Sequence, residues 1–207
     1  MKAPATKIEH ALLDVRKAYR LLHDYQRMVM DAANYIGKQT SLEWYGGWPK
    51  YSDATRQGER VKMNHSAWDW LNMMMFEFHF LRPIDKEKYL RLSILLISDT
   101  GFFCAEDETL QKANTHGYIP AERAATKLGF IISGEHWPDT SFMGNKATMK
   151  KFIEENGELP EEWKRLGIIA ICVDLSRIAS EEETNSLLDE IVAFANKAGI
   201  PLNRISH

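Results

Sequence analysis

The sequence predicts an α+β fold, or an irregular α/β one. A mixed sheet of four or five strands packs against a long N-terminal helix and a C-terminal helix. Three patterns predict it. Residues 7–36 follow a helical period with weak points at Gln26 and Ala33, residues 73–98 alternate like a β-hairpin, and 168–198 read as a strand feeding a helix. At 207 residues, 44% hydrophobic and 27% charged, the chain suits one domain with a core, neither disordered nor fibrous. Its parts are a helix at about 7–36, a loop at 38–65 and a body at 66–207.

Thr6 and Glu9 form a capping box, and Gly37 is placed to end the first helix in a left-handed turn. Ile8, Leu12, Val15, Tyr19, Leu22, Val29 and Ile36 follow the 4-3 spacing of a packing seam, interrupted by Gln26 and Ala33. Such a helix either lies across its own sheet or pairs with a second copy in a homodimer.

Residues 38–65 are polar, glycine-containing and without a period, which predicts a long ordered loop. Nine of the 22 aromatic residues fall between Trp44 and Phe80, and the stretch 43–51 holds Trp44, Tyr45, Trp48 and Tyr51 around a Gly-Gly pair. Ser66 and Asp69 are placed to cap a short helix. Strands are expected at about 73–81 and 88–98, with a turn at Arg82–Asp85. Pro120 is placed to open a helix that Gly129 ends, ahead of a short strand at 130–132. A helix at 146–156 stops at Gly157, and Pro160 begins a turn carrying Trp163. Ile168–Val173 is apolar on both faces, as in a central strand. Ser180 and Glu183 cap the last helix, whose core face is Leu187, Leu188, Ile191, Val192 and Ala195, with Gly199 and Pro201 ending it.

Composition bounds the function. Residues 1–100 carry 15 Lys/Arg against 12 Asp/Glu, too even a balance for a surface built on duplex nucleic acid. No apolar run is long enough to span a bilayer, and the N-terminus lacks an apolar signal core, so a cytoplasmic protein without membrane contact is expected. Cys104 and Cys172 are the only cysteines, consistent with a reducing compartment. A bacterial or phage origin is expected.

Two constellations carry possible chemistry. On the hairpin, Phe76, Phe78 and Phe80 share the face of Leu90, Leu92, Ile94 and Leu96, so Glu77 and His79 point the other way with Arg91 and Ser93. A register with both apolar faces inward sets Glu77 or His79 beside Arg91, an acid, an imidazole and a guanidinium able to bind an anion or move a proton. Asp99 and Asp174 each close an apolar strand. Were those strands parallel neighbours, the two carboxylates would converge on a magnesium ion for hydrolysis of phosphate esters. No phosphate loop, paired-cysteine zinc spacing or nucleophile elbow is present.

The aromatic loop is the leading surface. Trp44, Tyr45, Trp48 and Tyr51, with Arg56 and Arg60, are the residue types concentrated at binding hot spots and on stacking platforms. The expectation is a non-catalytic, regulatory binding protein that needs no cofactor and recognises a protein or a nucleotide-like partner. The alternative is the magnesium-assisted hydrolase.

Overall fold

The computed structural model describes residues 5–51, 74–86, 88–111, 114–135 and 145–205, with side chains from residue 8 onward. Arg56, Arg60, the expected helix after Ser66 and the His136–Asp139 stretch lie outside the described residues. The order is α1 (Ala5–Gln39), β1 (Glu43–Lys50), β2 (Met75–Pro83), β3 (Tyr89–Ile97), β4 (Lys127–Ser133), α2 (Lys146–Glu154), α3 (Glu161–Arg165), β5 (Ile169–Asp174) and α4 (Glu181–Lys197). The chain divides into two compact units, Met1–Tyr35 and Ile36–His207.

From Ala5 onward the first unit is helix. Residues 8–24 are exposed without exception, including the seam residues Ile8, Leu12, Val15, Tyr19 and Leu22. The helix starts ahead of the expected cap and runs past Gly37 to Gln39. Gly37 is helical, and its work is to make room: a Cβ there would lie 2.4 Å from the Phe80 ring. The left-handed turn comes four residues later, at Ser41 (φ 54). Leu42 N donates to Gly37 O at 3.0 Å and Ser41 N to Lys38 O at 3.1 Å, closing a Schellman motif without glycine.

The second unit is built on a five-stranded sheet in the order β1-β2-β3-β4-β5, antiparallel at every step. The α+β class and the hairpin agree with the sequence, whereas the sheet is not mixed. Strands that follow one another in sequence are neighbours in the sheet, which makes a meander; only β2 and β3 are joined by a tight turn, and no parallel crossover occurs among the described residues. Phe78, Phe80, Leu92, Ile94, Phe130 and Ile132 are buried on one face. On the other, Met75, Leu95, Ile97, Ile131 and Cys172 pack with Met149, Phe152 and Ile153 of α2 and with Trp163 of α3.

Several expectations give way here. β1 replaces the start of the loop expected at 38–65. No helix follows Pro120; a single turn there is held by Arg123 N and Ala124 N donating to Pro120 O, and β4 already begins at Lys127. Gly129 lies inside β4, where a Cβ would come within 2.8 Å of the Phe152 ring. β5 is an edge strand, not a central one. Its outer side is covered by the turn after α2, where Cys172 N donates to Asn156 O at 3.0 Å and Gly157 sits against the Ile171 backbone.

The C-terminal helix is as read. Ser180 Oγ accepts from Glu183 N and donates to Glu183 Oε2, each at 3.1 Å, and Gly199 (φ 79) ends α4.

Candidate functional site

β1 decides the geometry. It pairs with β2 as Trp44↔Phe80, Gly46↔His79, Gly47↔Phe78 and Trp48↔Glu77, with the register shifting between Trp44 and Gly46. Tyr45 is thus the extra residue of a β-bulge. Strict alternation would put Trp44 and Trp48 on the same face, but one inserted residue reverses the parity. Trp44 therefore meets Phe80 edge-on at 5.4 Å, while Trp48 stacks on His79 at 4.4 Å on the opposite face. Gly47 is required between them. A Cβ at that position would lie 2.6 Å from the Glu77 carbonyl oxygen, 2.8 Å from the Trp44 indole and 2.9 Å from the Phe76 ring. The indoles keep solvent contact, Trp44 at 56% and Trp48 at 38% exposure, and Tyr45 at 62%.

Beneath Trp48 lies a buried polar row. Glu77 and His79 are fully buried, and Ser93 is nearly so. The β2–β3 register pairs His79 with Ser93, Glu77 with Leu95 and Leu81 with Arg91. Arg91 is thus opposite Leu81, one step along the face, and the expected pairing of Arg91 with Glu77 or His79 is corrected. His79 Nδ1 is 2.9 Å from Ser93 Oγ, and Nε2 is 3.1 Å from Glu77 Oε2. An ionised carboxylate only accepts, so Nε2 carries the hydrogen of that bond. Glu77 Oε1 is 3.6 Å from Lys50 Nζ, an ion-pair distance too long for a hydrogen bond. Burial, and then the Glu77 charge, push the Tyr51 phenol above its ordinary pKa.

Tyr51 leaves the aromatic surface. With φ at 64 it turns back against Phe103 (5.3 Å) and Phe102 (6.3 Å), in the cluster under the sheet.

Beside the buried row, Tyr45, Trp48, Leu81, Tyr89 and Arg91 line a concavity of about 570 Å³. The Arg91 guanidinium lies 5.4 Å from the Tyr89 ring centre. Burial pulls its pKa below the ordinary arginine value, and the neighbouring Tyr45 and Tyr89 act in the opposite sense. Three aromatic walls, one apolar wall and one cation suit a flat ligand carrying negative charge. Leu81 and Tyr89 were not among the predicted site residues; alternation along β3 puts Tyr89 on the Arg91 face, while only the register shows that Leu81 stands opposite Arg91. Ser93, His79 and Glu77 resemble a nucleophile–base–acid row by type. They are buried and are not in the lining of the concavity, and the Trp48 ring lies on His79.

The aspartates do not converge as expected. β3 and β5 run in the same direction but are separated by β4, so Asp99 and Asp174 are not on neighbouring strands. Asp99 Oδ1 accepts from Gly101 N at 2.7 Å, and Asp174 Oδ1 pairs with Lys127 Nζ at 2.9 Å. Among the described residues no group of three His, Cys, Asp or Glu side chains is arranged to hold a metal ion. No helix among them is long and apolar enough to cross a membrane.

A family model described as PM0109 matches residues 5–203, which takes in α1, the whole sheet and the lining of the concavity. The chain belongs to the PM0109 family. It is similar to the uncharacterized protein PM0109 of Pasteurella multocida (strain Pm70), at 31% identity over 116 residues. That stretch covers 53% of this chain and 57% of the relative, so the similarity spans little more than half of either PM0109-family protein. No solved structure matches the chain.

Proposed function

We propose that this PM0109-family chain is a non-catalytic, cytosolic binding protein whose partner is nucleotide-like: a flat ring system carrying a phosphate or comparable anion. The observation that carries the reading is the concavity walled by Tyr45, Trp48, Leu81, Tyr89 and Arg91. A base-sized ring stacks on Trp48 or Tyr89, and the anion reaches the partly desolvated Arg91 guanidinium. A ring stacked on an aromatic side chain contributes about 1–3 kcal/mol, and a charge-assisted hydrogen bond a comparable amount, so the two together give one mononucleotide a Kd no tighter than roughly tens of μM. Trp48 needs no rearrangement, because His79, held by Ser93 and Glu77, already supports its inner face.

Isothermal titration with adenosine, guanosine, cytidine and uridine monophosphates tests this reading. Saturable binding by at least one nucleotide is expected. Trp48→Ala and Arg91→Ala should each weaken it about tenfold or more. Absence of heat with all four at millimolar concentration, or binding indifferent to both substitutions, overturns it.

A further inference from the structure

The first unit supplies an independent surface. Residues 8–24 of α1 bury nothing, yet Ile8, Leu12, Val15, Tyr19 and Leu22 are 43–62% exposed along one stripe. Most helical stability in proteins comes from packing an amphipathic face, and over residues 8–24 that face is left exposed. The remaining side mixes Glu9, Asp14 and Asp24 with Arg16, Lys17 and Arg20, and carries Leu13 and Leu21 at 41% and 71% exposure. Both signs on that side suit another protein helix and not an anionic lipid surface, which recruits a basic one.

The 4-3 spacing assigns Ile8, Val15 and Leu22 to the d positions of a heptad and Leu12 and Tyr19 to the a positions. Parallel dimers favour β-branched residues at a and Leu at d, which is the reverse of Leu12 against Ile8 and Val15. Antiparallel pairing fits. With the two-fold axis between Leu12 and Val15, the layers are Ile8 against Tyr19 and Leu12 against Val15, each made twice. One flank of the seam then sets Glu9 of each copy opposite Arg16 of the other, and the other flank sets Ala11 opposite Ala18, small enough for close approach. Moving the axis half a heptad toward Leu22 would instead put Arg16 opposite itself. The stripe is self-complementary in the one register in which its charges are too.

We infer that α1 pairs with a second copy of itself, antiparallel and two-fold symmetric, about an axis between Leu12 and Val15. Roughly 100 Å² from each of the four layer residues gives about 800 Å² over both copies, the size of a weak, transient interface. The expected dimer is therefore reversible, with Kd in the micromolar range.

Sedimentation equilibrium of the full chain at about 5–200 μM, spanning that range, tests the pairing. The wild type should pass from monomer to dimer as concentration rises. Glu9→Arg alone or Arg16→Glu alone sets like charges together twice and should weaken dimerisation about tenfold or more. The double swap Glu9→Arg with Arg16→Glu should restore it. Both positions are exposed, so circular dichroism of each variant should match the wild type. A monomer at every concentration overturns the inference, as does a double swap no tighter than the single variants, or a dimer that neither single substitution weakens.

Discussion

Removing the Glu77 carboxylate probes the support beneath Trp48. The side chain has no solvent exposure, accepts from His79 Nε2 at 3.1 Å and lies 3.6 Å from Lys50 Nζ. Glu77→Ala leaves His79 Nε2 buried without this acceptor and takes the carboxylate from Lys50. Breaking a buried, charged and hydrogen-bonded pair from one side costs about 3–5 kcal/mol. Glu77→Gln keeps an oxygen for Nε2 and the shape of the side chain but discards the charge, so the loss should be about 1–2 kcal/mol. For a chain of this size about 1 kcal/mol moves Tm by roughly 2–4 °C, so the alanine variant should melt about 10 °C lower. Urea unfolding followed by tryptophan fluorescence and far-UV circular dichroism gives both values, provided the denaturant slopes agree with wild type. An alanine cost below about 1 kcal/mol, or a glutamine cost equal to the alanine cost, would refute the view that this charged row is a structural support.

Gly47→Ala forces a Cβ to within 2.6 Å of a backbone oxygen, which cannot rotate away as a side chain could. The strand must shift, at a cost of about 1–3 kcal/mol, and urea unfolding should show that loss together with weaker nucleotide binding. Burial pushes the Cys172 thiol up to about 12, so at pH 8 the folded chain holds far less thiolate than an unfolded one. Alkylation of Cys172, followed by mass spectrometry, should run roughly a thousandfold slower before urea is added than after, and equal rates would contradict its placement under the sheet. Ser180→Ala removes both the acceptor of Glu183 N and the donor to its carboxylate, and should cost about 1 kcal/mol in the same unfolding assay.

How far the sequence could be read depended on whether a residue's reason was local. The hairpin was legible because Phe76–Phe80 and Leu90–Leu96 alternate without interruption, and the Ser180 cap because both partners lie within one turn. Gly37 and Gly129 misled because glycine serves two purposes. Each was read as a stop, whereas each gives space to an aromatic ring, of Phe80 and of Phe152, brought in from a distant segment. β1 stayed hidden for a related reason. Its Gly-Gly pair looks like a hinge, and the bulge at Tyr45 breaks the period-2 signal that would have marked a strand. β5 read as central because its run is apolar throughout, but among the described strands it stands at the edge of the sheet, with the turn at Asn156–Gly157 against its outer side.

At the site, the sequence placed Glu77, His79, Ser93 and Arg91 on one face. Which of them touch was set by register, and register depends on where the turn falls. The chain reverses over Ile84–Lys88, with Ile84 N donating to Lys88 O at 2.8 Å. β2 therefore extends to Pro83, and Arg91 moves from beside His79 to beside Leu81. The aromatic residues divide for the same kind of reason: Trp44 to one face, Trp48 and Tyr45 to the concavity, and Tyr51 inward.

The indole N–H resonances of Trp44 and Trp48, assigned through Trp44→Phe and Trp48→Phe, give the most direct measurement when followed by two-dimensional ¹⁵N NMR through a mononucleotide titration. Because the bulge sends the two rings to opposite faces, the Trp48 signal should shift with saturation while that of Trp44 stays in place. Equal movement of both signals, or movement of Trp44 alone, would contradict the account.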